Sequence, residues 1–459
     1  MTPLVSLLAA LAALPGLAAA ETRLIAPGDD LAAAVASAAP GDELVLAAGV
    51  HAGPVALDRG VTLRGEPGAV LDGGGEGSVV TVTAPGVTIR DLTIRASGPD
   101  RAAMDAGIVL DKGATGALVE RNTLLDNLHG VRIQGAQDAT VRDNAITGRS
   151  GRQADAGNGV MIWNAPGALV ENNVIRLGRD GIFTRVSKRD TFRGNRFEKT
   201  RFAIHYMYTN DSVIEDNVSV DNTVGYAIMF SDRLKIAGNV SDGDRDHGLL
   251  LNSANKSEIT GNRVTGRELP AARWLTMSQG ADADDGMPSA ESAAGSAAEP
   301  AAAAAPHAAG DRVGPEKCVF IYNANRNVFR DNHFENCRIG IHFTAGAEGN
   351  AVSGNAFVGN QTQVKYVGTR NLDWSEDGRG NYWSDNPAFD LDGDGIADAA
   401  YRPNDIIDRV MWTAPQARLL MTSPAVQVIR WAQSRFPATL PGGVVDSAPL
   451  MAPPPEPHP

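Results

Sequence analysis

The sequence repeats itself. From about residue 118, an apolar residue is followed three positions later by Asn. The pairs are Val119/Asn122, Val141/Asn144, Val170/Asn173, Phe192/Asn195, Ile214/Asn217, Ile236/Asn239, Ile259/Asn262, Phe329/Asn332 and Val352/Asn355. Successive Asn positions differ by 22, 29, 22, 22, 22, 23, 70 and 23 residues. The 29 holds an extra loop around Gly148-Arg149-Ser150-Gly151, and the 70 holds a long insertion. Fourteen or fifteen residues before each Asn lies a strand opened by a small residue, as in Gly130-Val-Arg-Ile, Gly181-Ile-Phe-Thr, Ala203-Ile-His-Tyr and Gly340-Ile-His-Phe. Short strands between Gly/Asn/Asp turns, at a period near 22, predict a right-handed parallel β-helix, an all-β solenoid of stacked coils. The Asn residues are expected at left-handed corners, with their side chains hydrogen-bonding from coil to coil.

The pattern divides the chain. Residues 21–41 read as an N-terminal cap whose helix, over 28–39, starts at Asp29 or Asp30 and stops before Gly41. The solenoid is expected over 42–383, interrupted by an Ala/Ser/Gly-rich insertion at 267–311. An acidic loop follows at 384–410, then a helical segment at 411–436 divided by Pro424, then a Pro- and Ala-rich tail at 437–459 expected to be disordered. Residues 1–20 are apolar and end in Ala18-Ala19-Ala20, which reads as a cleaved secretory signal, with a short membrane anchor as the alternative. No later segment is long and apolar enough to span a membrane. The net charge of −13 argues against nucleic acid as a partner, because phosphate neutralisation needs a basic face.

Strand alternation then sorts the side chains. Counting from each small residue, positions one and three, such as Ile182/Thr184 and Ile204/Tyr206, face the interior. Positions two and four must face out, and they form a stripe containing Met161, Trp163, Phe183, Arg185, His205, Met207, Met229, Leu250, Phe320, Tyr322 and His342. Exposed apolar stripes are covered or bind something. Three occupants stay open here: the insertion or C-terminal segment folded back, a docked protein, or an elongated ligand. Met207 and Met229 share one position in successive coils, and His205 is two residues from Met207 on the same face. Thioether with imidazole suits cuprous copper, which makes these three the copper candidates, against adaptable packing by methionine.

Asp390, Asp392, Asp394 and Asp398 occupy positions 1, 3, 5 and 9 of a calcium-type loop, with the Ile396 carbonyl at position 7. Position 12 is Tyr401, so Asp405 or Asp408 would have to supply the missing acid. A structural calcium site is expected, with a hydrogen-bonded acidic turn as the alternative. Cys318 opens one coil and Cys337 lies three residues before the opening glycine of the next. That offset favours two buried thiols over a bridge, which needs Cα atoms within ~7 Å.

With these residues in place, the chain resembles the NosD family, the periplasmic maturation proteins of nitrous oxide reductase. The resemblance runs from Ala26 to Pro437 and is most specific at Ala203-Ile-His-Tyr-Met-Tyr-Thr-Asn-Asp211, Glu316-Lys-Cys-Val-Phe-Ile-Tyr-Asn-Ala324, Gly340-Ile-His-Phe-Thr-Ala-Gly346, Gln363-Val-Lys-Tyr-Val-Gly368 and Gly380-Asn-Tyr-Trp-Ser-Asp385. It implies a periplasmic, non-enzymatic accessory protein that docks on the membrane subunit of an ABC transporter. The implied role is to help copper reach apo nitrous oxide reductase, with a copper chaperone as a further partner. The competing expectation is a carbohydrate-active β-helix enzyme, a lyase, hydrolase or uronate epimerase. Such enzymes need clustered carboxylates or a Lys/Arg base over a groove, and the stripe offers Arg132 and Arg185 but no paired acids. A passive adhesin is a third.

Overall fold

The architecture follows from strands mostly three to six residues long, joined at the recurring sharp corner by two residues of which the first is left-handed, as Arg121 is between Leu118–Glu120 and Thr123–Asn127. A computed structural model describes residues 20–151, 155–266, 315–344, 346–368, 370–404, 423–435 and 442–456. The expected insertion at 267–311, the signal cleavage before residue 21, and Asp405 and Asp408 lie outside the described residues. Three sheets of 13, 12 and 13 parallel strands wind into a right-handed solenoid. The 12-stranded sheet holds the strands opened by small residues and runs from Val55–Leu57 to Thr362–Val367. The predicted inward positions are core: Ile108, Leu110, Val131, Ile133, Ile182, Thr184, Ile204 and Tyr206 have no exposed surface. Glycine opens most of these strands because the rung above is close. A Cβ on Gly181 would stand 2.3 Å from Phe197 Cδ1 and 2.5 Å from the Ala203 carbonyl oxygen.

The Asn ladder forms as expected, but not at left-handed Asn. The residue before each ladder Asn carries the positive φ: Arg121 (53°), Asp143 (56°), Asn172 (56°), Gly194 (62°), Asp216 (55°), Gly238 (65°), Gly261 (62°), Asp331 (54°) and Gly354 (68°). That residue turns the chain, and the turn aims the next side chain inward. Asn195 Oδ1 then accepts from both the backbone N and Nδ2 of Asn173 at 3.0 Å, while Asn195 Nδ2 donates to the Val170 carbonyl at 2.8 Å. The same bonds repeat from Asn122 through Asn144, Asn217, Asn239, Asn262 and Asn332 to Asn355. They satisfy amides that the corners would leave buried and unpaired. The ladder bridges the insertion without a break, since Asn262 N donates to Asn332 Oδ1 at 2.9 Å.

Both ends differ from expectation. The solenoid begins inside the predicted cap, where Thr22–Ile25 pairs in parallel with Glu43–Leu46. The capping helix is Leu31–Ser37, with Asp30 Oδ1 accepting from Ala33 N at 3.0 Å and Leu31 and Val35 buried. At the other end the supposedly disordered tail is ordered over 442–456. Val444–Val445 pairs with Leu372–Asp373. Asp446 Oδ2 accepts from Asn381 N and from Trp383 Nε1, each at 2.7 Å. Asn381 is one rung beyond Asn355, so Asp446 terminates the ladder. Of the helical segment at 411–436, Pro424–Arg435 is a helix that Pro424 begins rather than divides. Proline suits a first helical position because its missing N–H is unpaired there anyway.

Cys318 and Cys337 form a disulfide with a Cα–Cα distance of 5.6 Å, which corrects the expectation of two thiols. The three-residue offset misled because Cys337 follows the left-handed Asn336, and the corner folds its side chain back toward Cys318.

Candidate functional site

The outward positions of the glycine-led sheet stack in two rows. One row runs Arg132, Met161, Phe183, His205, Ala227, Leu250, Phe320, His342. The other runs Gln134, Trp163, Arg185, Met207, Met229, Asn252, Tyr322. Neighbours in a row are one strand spacing apart, ~4.8 Å. The rows face away from the main core, as predicted, but they are not one open stripe. From His205 onward the first row is covered: His205, Ala227, Leu250, Phe320 and His342 are all less than a tenth exposed. Ala227, Leu250, Phe320 and Val224 form a second apolar cluster outside the main core, with Phe202, Met229 and Tyr322 packed on it. Strand alternation fixes which way a side chain points, not what lies over it, so the sequence could not decide this.

Within the covered half, His342 lies against Phe320 (4.9 Å between ring centroids) and Lys317 Nζ stands 4.6 Å over the same ring. Burial, with Lys317 and Lys365 adding, pushes the His342 imidazole down to about 2. It is a neutral packing group.

His205 is held differently. Its Nδ1 lies 3.1 Å from Asp180 Oδ2, and Asp180 in turn accepts from Arg201 Nε and Nη2, each at 2.8 Å. Phe183 and Phe202 flank the imidazole at 5.0 and 4.9 Å, the latter edge-on. Burial alone would raise the Asp180 carboxyl, but the Arg201 charge and the His205 hydrogen bond outweigh it and hold it below the ordinary range. Burial pushes His205 below its ordinary value against the pull of Asp180, which leaves it neutral at pH 7. A carboxylate at Nδ1 requires the single ring proton there. The Nε2 lone pair is therefore free of the ring proton, and it is buried without a hydrogen-bond partner among the described residues. Met207 and Met229 are direct register partners in the adjoining row, both half-buried. Asp180 and Arg201 escaped the sequence reading, although Asp180 immediately precedes an opening glycine, where an acid is out of place unless paired.

The open half contains a cavity of about 320 Å³ lined by Met104, Arg132, Gln134, Met161, Trp163, Phe183 and Arg185. Trp163 is 45% exposed there. Met161, Trp163, Phe183 and Arg185 were named from the stripe, whereas Met104 comes from a neighbouring loop that no periodicity announces.

Carboxylate oxygens of Asp390, Asp392 and Asp394 lie within 4.8 Å of one another. Asp390 accepts from Gly393 N (2.6 Å) and Gly395 N (2.9 Å). The Asp394 amide draws the Asp392 carboxyl down, but the neighbouring Asp394 charge and the other acids raise it overall. Asp398 is not brought to the cluster: its Oδ2 accepts from Leu391 N at 2.8 Å. Ile396 bridges to Leu450.

Fold and face together define a right-handed β-solenoid carrying an apolar, methionine- and histidine-bearing strip along one sheet. The family described as "Periplasmic copper-binding protein (NosD)" matches residues 142–273 and 304–388. The "Probable ABC transporter binding protein NosD" of Stutzerimonas stutzeri is 40% identical over 412 residues, covering 90% of this chain and 87% of that protein. The Pseudomonas aeruginosa protein of the same description is 40% identical over 407 residues, 88% of this chain and 87% of its own. This chain belongs to the NosD family. Among solved structures, a polygalacturonase from Erwinia carotovora has a TM-score of 0.46 at 12% identity, covering 72% of this chain and 94% of that one. That likeness carries no argument about activity. Among the described residues, no helix is long and apolar enough to cross a membrane.

Proposed function

We propose that this chain is a non-enzymatic periplasmic accessory protein, exported by a cleaved signal, that works with an ABC transporter in maturing the copper centre of nitrous oxide reductase. It docks partners along the glycine-led face: the transporter's membrane subunit, the apo reductase and a copper chaperone. It handles cuprous copper as cargo at His205, Met207 and Met229. The observation that carries this reading is the bare, buried Nε2 of His205. Metal-ligating histidines characteristically give their other nitrogen to a carboxylate, which fixes the tautomer and ring orientation. His205 has that arrangement through Asp180, beside two thioethers in register. Neutral imidazole and thioether sulfur match the soft cuprous ion. The descriptions of the two relatives and of the family support the transporter and copper elements of the proposal. The Asp390, Asp392 and Asp394 loop is proposed to hold calcium structurally.

The test is to delete the gene in its host, isolate the nitrous oxide reductase, and measure copper per reductase. The proposal expects a copper-deficient enzyme, restored by the wild-type gene. A fully loaded reductase from the deletion strain overturns it.

A further inference from the structure

Two arginines, Arg132 and Arg185, line the cavity in the open half. Many arginines of the solenoid pair with acids across rungs, as in Arg142–Glu120 (2.7 Å), Arg193–Glu171 (2.8 Å) and Arg176–Glu198 (2.8 Å). Among the described residues, neither Arg132 nor Arg185 has a carboxylate within ion-pair distance, and both open on the cavity. The Arg132 guanidinium is half-committed: Nη1 donates to the Ala103 carbonyl at 3.3 Å, while Nε is buried with no partner among the described residues. Burial lowers Arg132, and the more distant Asp111 and Asp105 charges oppose this. Behind it, burial drives His129 down to about 4, with the Arg132, Arg101 and Arg179 charges adding to the effect. A partly buried guanidinium with an idle N–H loses solvation that only an anion restores in full.

The other walls select what the anion is attached to. Met104, Met161, Phe183 and Trp163 are apolar, and Trp163 offers an exposed ring. Arg and Trp are the side chains that dominate protein interfaces, and methionine adapts its shape to a partner. A volume of about 320 Å³ admits one or two side chains rather than a folded element. A polyuronate would match the charge but would present hydroxyls to the thioether walls.

We propose that this cavity receives an acidic segment of a partner protein, with a carboxylate between Arg132 and Arg185 and a neighbouring apolar side chain against Trp163. The proposal rests on the reading above in which this face docks proteins, and it names the chemistry of the docked segment.

The probes are capped, fluorescein-labelled peptides with the cores Asp-Phe-Asp, Asn-Phe-Asn and Lys-Phe-Lys, titrated into the full chain by anisotropy at low and high salt. The acidic peptide is expected to bind, and the other two not. Binding should weaken with salt and fall at least tenfold in Arg132→Gln, in Arg185→Ala and in Trp163→Ala. Arg185 and Trp163 are exposed, so those two variants remain informative if Arg132→Gln fails to fold. Failure of the acidic peptide to bind, equal binding of all three, or unchanged affinity in the variants overturns the proposal. So does an oligogalacturonate that displaces the acidic peptide and binds more tightly than it does. Cuprous titration of the same preparation reads the other proposal separately. Copper binding without peptide binding overturns this one alone, and peptide binding without copper binding overturns only the copper assignment.

Discussion

The Asp180 carboxylate stands 3.1 Å from His205 Nδ1, and this contact decides which imidazole nitrogen carries the ring proton. Asp180 acts as a positioning residue. Asp180→Asn should lower cuprous affinity by about 10- to 100-fold, the usual consequence of losing an outer-sphere carboxylate. It should also change the His205 tautomer, read from the ring nitrogens by NMR. An unchanged tautomer and affinity would remove Asp180 from the account. Thermal melting serves as the control, because Arg201 loses its partner in the same variant.

The Asn ladder carries a stability prediction. Asn217 Oδ1 accepts from Asn195 N and Nδ2, and Asn217 Nδ2 donates to the Phe192 and Glu215 carbonyls and to Asn239 Oδ1. Asn217→Ala strands several buried groups, each worth about 1–3 kcal/mol when unsatisfied. Urea denaturation should show a loss of at least ~2 kcal/mol, and a loss below ~0.5 kcal/mol would mean the ladder is ornamental.

Asp190 sets a pH dependence. Burial raises its carboxyl to about 7, against hydrogen bonds from Ser187 and the Ala168 amide. Its folded value lies above the unfolded value near 4, so its contribution to stability is complete below about pH 4 and is lost as pH rises through 7. Asp244, raised to about 6, acts in the same direction. Asp190→Asn should be more stable than wild type at pH 8, by up to about 4 kcal/mol, with the advantage vanishing toward pH 4. Denaturation midpoints of both proteins across this range give the answer; a constant difference contradicts the assignment.

The bridge closes a 19-residue separation between Cys318 and Cys337. Replacing both by Ser should cost about 3 kcal/mol through the freed unfolded chain. Wild-type protein in reductant should melt near the double variant. If reductant leaves the wild-type melt unchanged while thiol labelling is complete, the bridge contributes nothing.

Calcium added to metal-free protein should raise the melting temperature, and Asp390→Asn with Asp392→Asn should abolish that rise. Both carboxylates lie in the cluster that a cation would neutralise. An equal rise in the double variant would assign the effect elsewhere.

The repeat made most of the fold legible because, from Asn122 onward, one buried Asn per coil pairs the corner amides and shows in the spacing. The inward and outward sets followed from alternation alone. The ladder's end was not legible: Asp446 sits in a Pro- and Ala-rich stretch whose composition resembles a tail, and its role depends on a contact 65 residues away in sequence with Asn381. His205, Met207 and Met229 could be placed on one face by counting. The Asp180–Arg201 pair that orients His205 could not, because Asp180 comes from the adjacent coil, 21 residues from Arg201 and 25 from His205. Covering of the stripe beyond His205 was equally hidden, since local sequence does not encode what packs on a face from outside.

The copper assignment is tested most directly by titrating cuprous ion, against a chromogenic competitor, into wild-type protein and the His205→Ala, Met207→Ala and Met229→Ala variants. The account predicts one tight site in the wild type, lost in His205→Ala and weakened at least tenfold in each methionine variant, with circular dichroism unchanged. Equal stoichiometry and affinity in all four proteins would contradict it.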